Sequence, residues 1–150
     1  MKKVLTLAFA ALLATVAQSG APLHAAPLAT HATAGAVKVT IHYKGKGKVD
    51  ASHKLWVWLF DSPNIGPGAM PIDQVALDKN DVDAVFDGVA PENVWIAVAF
   101  DESGAMMGDA PPPAGTPIGI LSGKDGVPMP VVSGAKDAAV LTFDDTQRMP

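Results

Sequence analysis

The sequence predicts an all-β protein, an antiparallel β-sandwich of about seven strands behind a cleaved signal peptide. Three observations carry this. Several short apolar segments alternate in polarity with a period of two, the signal of half-buried strands. Turn-forming Gly, Pro, Asn and Asp separate them, the spacing expected of a sandwich. No segment downstream of the first 25 residues sustains a 3.6-residue apolar stripe, so no amphipathic helix is expected.

The first 25 residues come before that domain. Lys2 and Lys3 are followed by an uncharged run from Val4 to Ala17, then by QSGAPLHA with small residues at cleavage positions. This is the layout of a secretory signal peptide, and the apolar run is too short to span a bilayer as an ordinary helix. Cleavage after Ser19 or after Ala25 fits, and we place it after Ala25. Residues 26–35, APLATHATAG, are expected to be a flexible mature N-terminus.

The domain is expected over residues 36–145. Val37, Val39, Ile41 and Tyr43 alternate with Lys38, Thr40, His42 and Lys44, the first half-buried strand. Gly45 and Gly47, between lysines, break it into a solvated bend. Lys54 to Phe60, KLWVWLF, is apolar on both faces: Leu55, Val57 and Leu59 point one way, Trp56, Trp58 and Phe60 the other. A Pro- and Gly-rich loop follows, then a weaker strand from Ile72 to Leu77. Asp78 to Asp81 form a turn. A short strand runs from Val82 and ends at Gly88.

Val94 to Phe100, VWIAVAF, is the strongest core candidate. Residues 102–135 hold most of the remaining Pro and Gly and are expected to be a long ordered excursion carrying one or two edge strands, at Ile118–Leu121 and Val131–Val132. Connections of that length are uncommon in compact domains and are often functional. Ala138 to Phe143 closes the domain, and residues 146–150 are a polar tail. Four apolar runs end in Phe-Asp, at residues 60–61, 86–87, 100–101 and 143–144. In each the Phe ends a buried face and the Asp starts a turn through its own carboxylate.

The order VKVTIHY, LWVWLFD, AVFDGV, VWIAVAFDESG, PPPAGTPIGI and AVLTF, across roughly residues 36–144, resembles small exported bacterial proteins of the prealbumin-like or carboxypeptidase-regulatory-like type, with an immunoglobulin-like sandwich. The resemblance implies a binding or accessory module and carries over no catalytic residue. Many such modules hold a cation in an Asp- and Asn-rich loop after the strand equivalent to VWIAVAF. Here Asp101, Glu102 and Asp109 are the candidates for that role. Alternating acidic and amide ligands are missing, with Ser103 and Ala105 in their places and Met106 where a calcium loop needs Gly. A solvated acidic turn is the plainer account.

Composition excludes several classes. The precursor carries a net charge of −4, and loss of Lys2 and Lys3 leaves nine basic against fifteen acidic residues, near −6. Arg148 is the only arginine. Nucleic acids and anionic membranes need clustered Lys and Arg, so neither is an expected partner. No second apolar run is long enough to span a membrane. Without cysteine there is no lipid attachment point, no disulfide framework and no thiol nucleophile. A domain of about 125 residues must then stand on its packed core.

No Gly-x-Ser-x-Gly elbow or His-Glu-x-x-His motif is present, so no enzymatic activity and no cofactor are expected. Copper handling would draw on soft Met sulfur together with His. His31, His42 and His53, and Met70, Met106, Met107, Met129 and Met149, form no dense cluster in sequence.

The aromatic residues are the best ligand-binding candidates. Trp56 and Trp58 share one strand face, and Trp95 faces small neighbours on another, where Ala97 and Ala99 leave room for indoles. Flat indole faces stack on sugars or apolar ligands. The competing account is that the 102–135 excursion covers this face and makes the indoles core, the commoner fate of aromatics. Together these observations predict a periplasmic or secreted module that binds a protein partner or cell-envelope component, with self-association through edge strands as one route. The alternative is a small-ligand binder, for carbohydrate on the aromatic face or metal through His and Met.

Overall fold

In a computed structural model, residues 34–66 and 68–150 are described. The proposed signal peptide and residues 26–33 lie outside them. The alternating run from Val37 builds strand β1 (Gly35–Tyr43), whose Val37, Val39, Ile41 and Tyr43 are buried while the residues between them reach the surface. β1 is the centre of a three-stranded sheet. On one side β4 (Val82–Val89) runs antiparallel to it, with Val39 opposite Ala84, Ile41 opposite Val82 and a register shift between Gly35 and Val37. On the other side lies β8 (Ala139–Phe143).

The β1–β8 pair is parallel, with Ile41 opposite Leu141 and Tyr43 opposite Phe143. This corrects the expectation of a purely antiparallel sandwich. Parallel neighbours need a long crossover. Here the crossover is everything from residue 44 to residue 138, which passes through the other sheet and returns.

The second sheet follows the order β3 (Asp73–Leu77), β2 (Leu55–Phe60), β5 (Asn93–Phe100) and β6 (Ile118–Ile120), all antiparallel. The two-residue β7 (Val131–Val132) pairs with the beginning of β5. The described residues therefore hold eight strands in an all-β, two-sheet architecture without helices. The core lies between the sheets. Leu55, Val57 and Leu59 of β2 and Val94, Ile96 and Val98 of β5 meet Val39, Ile41, Phe86 and Leu141 there, each at most 2% exposed.

One end of the core is aromatic. Tyr43 stacks on Phe100 with ring centroids 4.5 Å apart and tilts against Phe143 at 5.1 Å. Its hydroxyl emerges to donate to Asp145, whose other oxygen accepts the Lys46 N–H at 2.8 Å. The polar tail does not hang free. The Ile118 N–H donates to the Gln147 carbonyl and the Met149 N–H to the Thr116 carbonyl, both at 2.9 Å. The last residues thus extend the second sheet beyond β6, and a bridge joins Pro117 to Arg148.

Candidate functional site

The outer face of the second sheet is apolar, because β2 and β5 are apolar on both sides. Across the β2–β5 pair, Trp56 stands opposite Ala99, Trp58 opposite Ala97 and Phe60 opposite Trp95. At the first two pairs an indole on β2 meets an alanine on β5, which leaves the rings room on this face. β6 adds Ile118 beside Ala99 and Ile120 beside Ala97. β3 adds Gln74 beside Trp58. Trp56, Trp58, Phe60, Trp95, Ala97, Ala99 and Ile118 belong to a second apolar cluster, separate from the core.

Two loops cover this face in part. The first, after Phe60, lays Ile65 and Ala69 against the cluster. The second leaves β5 at Asp101 and is organised by that residue. The Asp101 side chain is nearly inaccessible, in a residue 3% exposed. Its Oδ1 accepts N–H bonds from Ser103 at 3.1 Å, Gly104 at 2.8 Å and Ala105 at 3.3 Å, and the Ser103 hydroxyl at 2.8 Å. Its Oδ2 accepts the Met106 N–H at 2.9 Å. Burial pushes this carboxyl up, but the bonds from Met106, Ser103, Gly104 and Ala105 outweigh it and hold the group below the usual carboxylate range.

The loop then crosses the sheet at Gly108. The backbone there has φ of 76°, and a Cβ would run into the ring of Trp56. Only glycine brings the chain this close in that conformation. The Gly108 carbonyl accepts the Trp58 Nε1–H at 2.9 Å, and Gln74 Oε1 accepts the same donor at 3.1 Å. Further on, Arg148 ties the loop's two ends together, donating to Glu102 Oε2 at 2.9 Å and to the Gly115 carbonyl at 2.6 Å.

Between the loops the face stays open as a groove of about 530 Å³. Its floor is Trp58, Phe60, Ala97, Ile118 and Ile120. Ile65, Gly66 and residues 68–74 form one wall, residues 108–112 the other, and Met149 of the terminal segment also lines the groove. Among the described residues, Asp73, Gln74 and Asp109 are its polar side chains, and no Lys, Arg or His lines it. Volume, concavity and a few polar groups in an apolar lining are the attributes of a small-molecule site.

The candidates named from sequence take different places. Trp58 is part of the groove and only 6% exposed. Trp56 is half-buried beneath Gly108, and its Nε1 has no hydrogen-bond partner. Trp95 is half-buried in the same cluster, outside the groove lining. The three carboxylates serve three purposes: Asp101 organises its loop, Glu102 pairs with Arg148, and Asp109 lines the groove. Among the described residues no three His, Asp or Glu side chains form a group able to hold a metal ion. His42 pairs with Asp81 and His53 with Asp50. Met70 and Met149 line the groove, whereas Met107 is exposed elsewhere.

Phe60, Ile65, Asp73, Gln74, Ile118 and Ile120 are site residues that the sequence reading does not single out. Their signal lay in the two-sided apolarity of KLWVWLF, which requires something to cover the outer face. No protein-family model, no curated protein and no solved structure matches this chain.

Proposed function

We propose that this chain is an exported, non-enzymatic β-sandwich binding module whose binding site is the outer-face groove, and that its ligand is a small molecule with an apolar body. The observation that carries the proposal is the groove itself, about 530 Å³ of space above an apolar floor that the covering loops leave unfilled. Export rests on residues 1–25, with their Lys pair, uncharged run and small cleavage residues. The non-enzymatic reading rests on the missing nucleophile and metalloprotease motifs. The prealbumin-like type is supported by the strand order, in which the first strand sits between the fourth and a parallel last strand.

The groove favours a compact ligand over a flat sugar platform. Trp58 offers little of its ring face, and Gly108 roofs Trp56. The test uses N-phenyl-1-naphthylamine, a neutral dye that brightens in apolar surroundings. It should bind saturably at one site, and Ala97→Phe, which fills the floor between Trp58 and Ile120, should abolish the signal without lowering the melting temperature. Equal dye binding by a folded Ala97→Phe protein would remove the groove as the site.

Recognition of a protein partner keeps one observation of its own. β8 is an outer strand of the first sheet with no charge, proline or bulge between Asp137 and Asp144, whereas β4 carries Asp83, Asp87 and the register shift. Unblocked edges of this kind accept a further strand. If β8 does so between two copies, sedimentation will show a dimer that Val140→Lys dissociates.

A further inference from the structure

The groove's ligand can be narrowed by charge. Its two walls each contribute one carboxylate, Asp73 at the start of β3 and Asp109 just after Gly108, and both residues are exposed. Neither forms an ion pair among the described residues. The cation nearest in sequence to the lining is Arg148, next to Met149, and it is committed to Glu102 and the Gly115 carbonyl. Among the described residues, the lining thus presents two carboxylates without an ion-pair partner over an apolar floor, and no positive group to receive an acid.

Resting on the groove reading above, we propose that the site takes a small amphiphilic cation: a free molecule with an apolar body and one protonated amine. The apolar body lies over Phe60, Ala97, Ile118 and Ile120. The ammonium stands at the mouth, where Asp73 and Asp109 reach it from opposite walls and where it keeps part of its hydration. An amine left partly in water avoids the desolvation cost that a buried ion pair carries. Fatty acids and other apolar anions are disfavoured by the same two carboxylates.

The Asp73 Oδ1 accepts the Gln74 N–H at 2.7 Å, a bond that an asparagine side-chain oxygen can also make. Asp73→Asn and Asp109→Asn therefore remove charge with little change of shape. The experiment compares n-octylamine, n-octanol and n-octanoate, one apolar chain with three heads, as competitors for bound N-phenyl-1-naphthylamine on the purified protein. Octylamine should bind about fivefold tighter than octanol, the size expected of two exposed ion pairs, and octanoate weakest. The Asp73→Asn/Asp109→Asn variant should bind octylamine and octanol alike, with octanol unchanged from the parent. High salt should likewise erase the preference.

Octanol matching octylamine, octanoate binding tightest, or an amine preference that survives in the double variant would each overturn the proposal while leaving the groove as a neutral apolar site. Failure of all three to compete with bound dye would overturn it too. Absence of dye binding would remove the groove reading itself.

Discussion

Replacing Asp101 by alanine should loosen one wall of the groove and destabilise the whole domain. Its carboxylate accepts four backbone N–H groups and one hydroxyl, all from residues 103–106. A hydrogen bond to a charged group contributes about 1.5–3 kcal/mol. The five do not add, because they share one carboxylate. Ser103, Gly104 and Ala105 are also exposed and regain water when released, whereas Met106 is half-buried. We expect a net loss of about 3 kcal/mol for Asp101→Ala. Asp101→Asn keeps one acceptor oxygen and turns an amide toward an N–H, so it should lose about half as much.

Urea denaturation followed by tryptophan emission measures both, with the slope against urea unchanged if only stability moves. The same carboxylate sets a pH window. Burial raises its pKa, the hydrogen bonds lower it further than burial raises it, and the folded value ends below the ordinary one. Such a group stabilises the fold above its unfolded pKa of about 3.9 and loses that contribution as pH falls through this value toward the folded one. The difference between parent and Asp101→Ala should therefore be full at neutral pH and shrink below about pH 4. A loss under about 1 kcal/mol at neutral pH, or one independent of pH in the acid range, would refute the assignment of Asp101 as the loop's organiser.

Three further changes probe the frame around the site. Gly108→Ala forces a side chain into left-handed backbone, costing about 1–2 kcal/mol, and drives its Cβ into Trp56. Its tryptophan emission should shift to the red and dye binding should fall. Tyr43→Phe removes the hydroxyl that donates to Asp145, the main cause holding that carboxyl below its usual range. It should cost about 1.5 kcal/mol by urea denaturation and raise the Asp145 pKa in an NMR titration. Gly119→Val places a Cβ 2.6 Å from the Phe143 Cβ across the core, and overpacking of this kind costs about 1–3 kcal/mol, read as a lower melting temperature.

The strands were legible because each depends mainly on its own residues. β1 announces itself by alternation, and β2 and β5 by runs of large apolar residues bounded by Asp, Pro or Gly. The room that Ala97 and Ala99 leave for indoles is legible in the sequence, but the register that sets Trp58 opposite Ala97 comes only from the paired strands. What was not legible depends on distant partners. The parallel entry of β8 beside β1 is decided by where the chain re-enters the first sheet. The pairing of residues 147–149 with residues 116–118 uses backbone groups alone and leaves no mark in residue type. The turn role expected of each Phe-Asp pair holds where a partner is in reach, at Asp101 and at Asp144, which accepts the Thr146 N–H and hydroxyl. At Phe86-Asp87 the strand simply continues to Val89.

The two sheets show why the groove exists at all. The first sheet turns Lys38, Thr40 and His42 outward and needs no cover. The second turns out Trp56, Trp58, Phe60, Trp95 and Ile118, a contiguous apolar face of the kind that soluble proteins hide or use. Two loops hide part of it. A cover serving stability alone would be expected to close over the floor with large side chains, since close packing is what rewards burial. Here the covering segments line the groove with Gly66, Gly68, Ala69 and Ala110 as well as Ile65, Met70 and Ile72, and leave it unfilled. On the proposed function, stability is forgone where the ligand sits, the usual trade at functional sites. Ala69 is half-buried against the cluster, so Ala69→Leu should reach into the groove and raise stability by about 1 kcal/mol while dye and amine binding are lost. A variant that gains stability and keeps full binding would place the ligand elsewhere on the molecule. One that loses stability would mean that the small residues are there for fit, not for access.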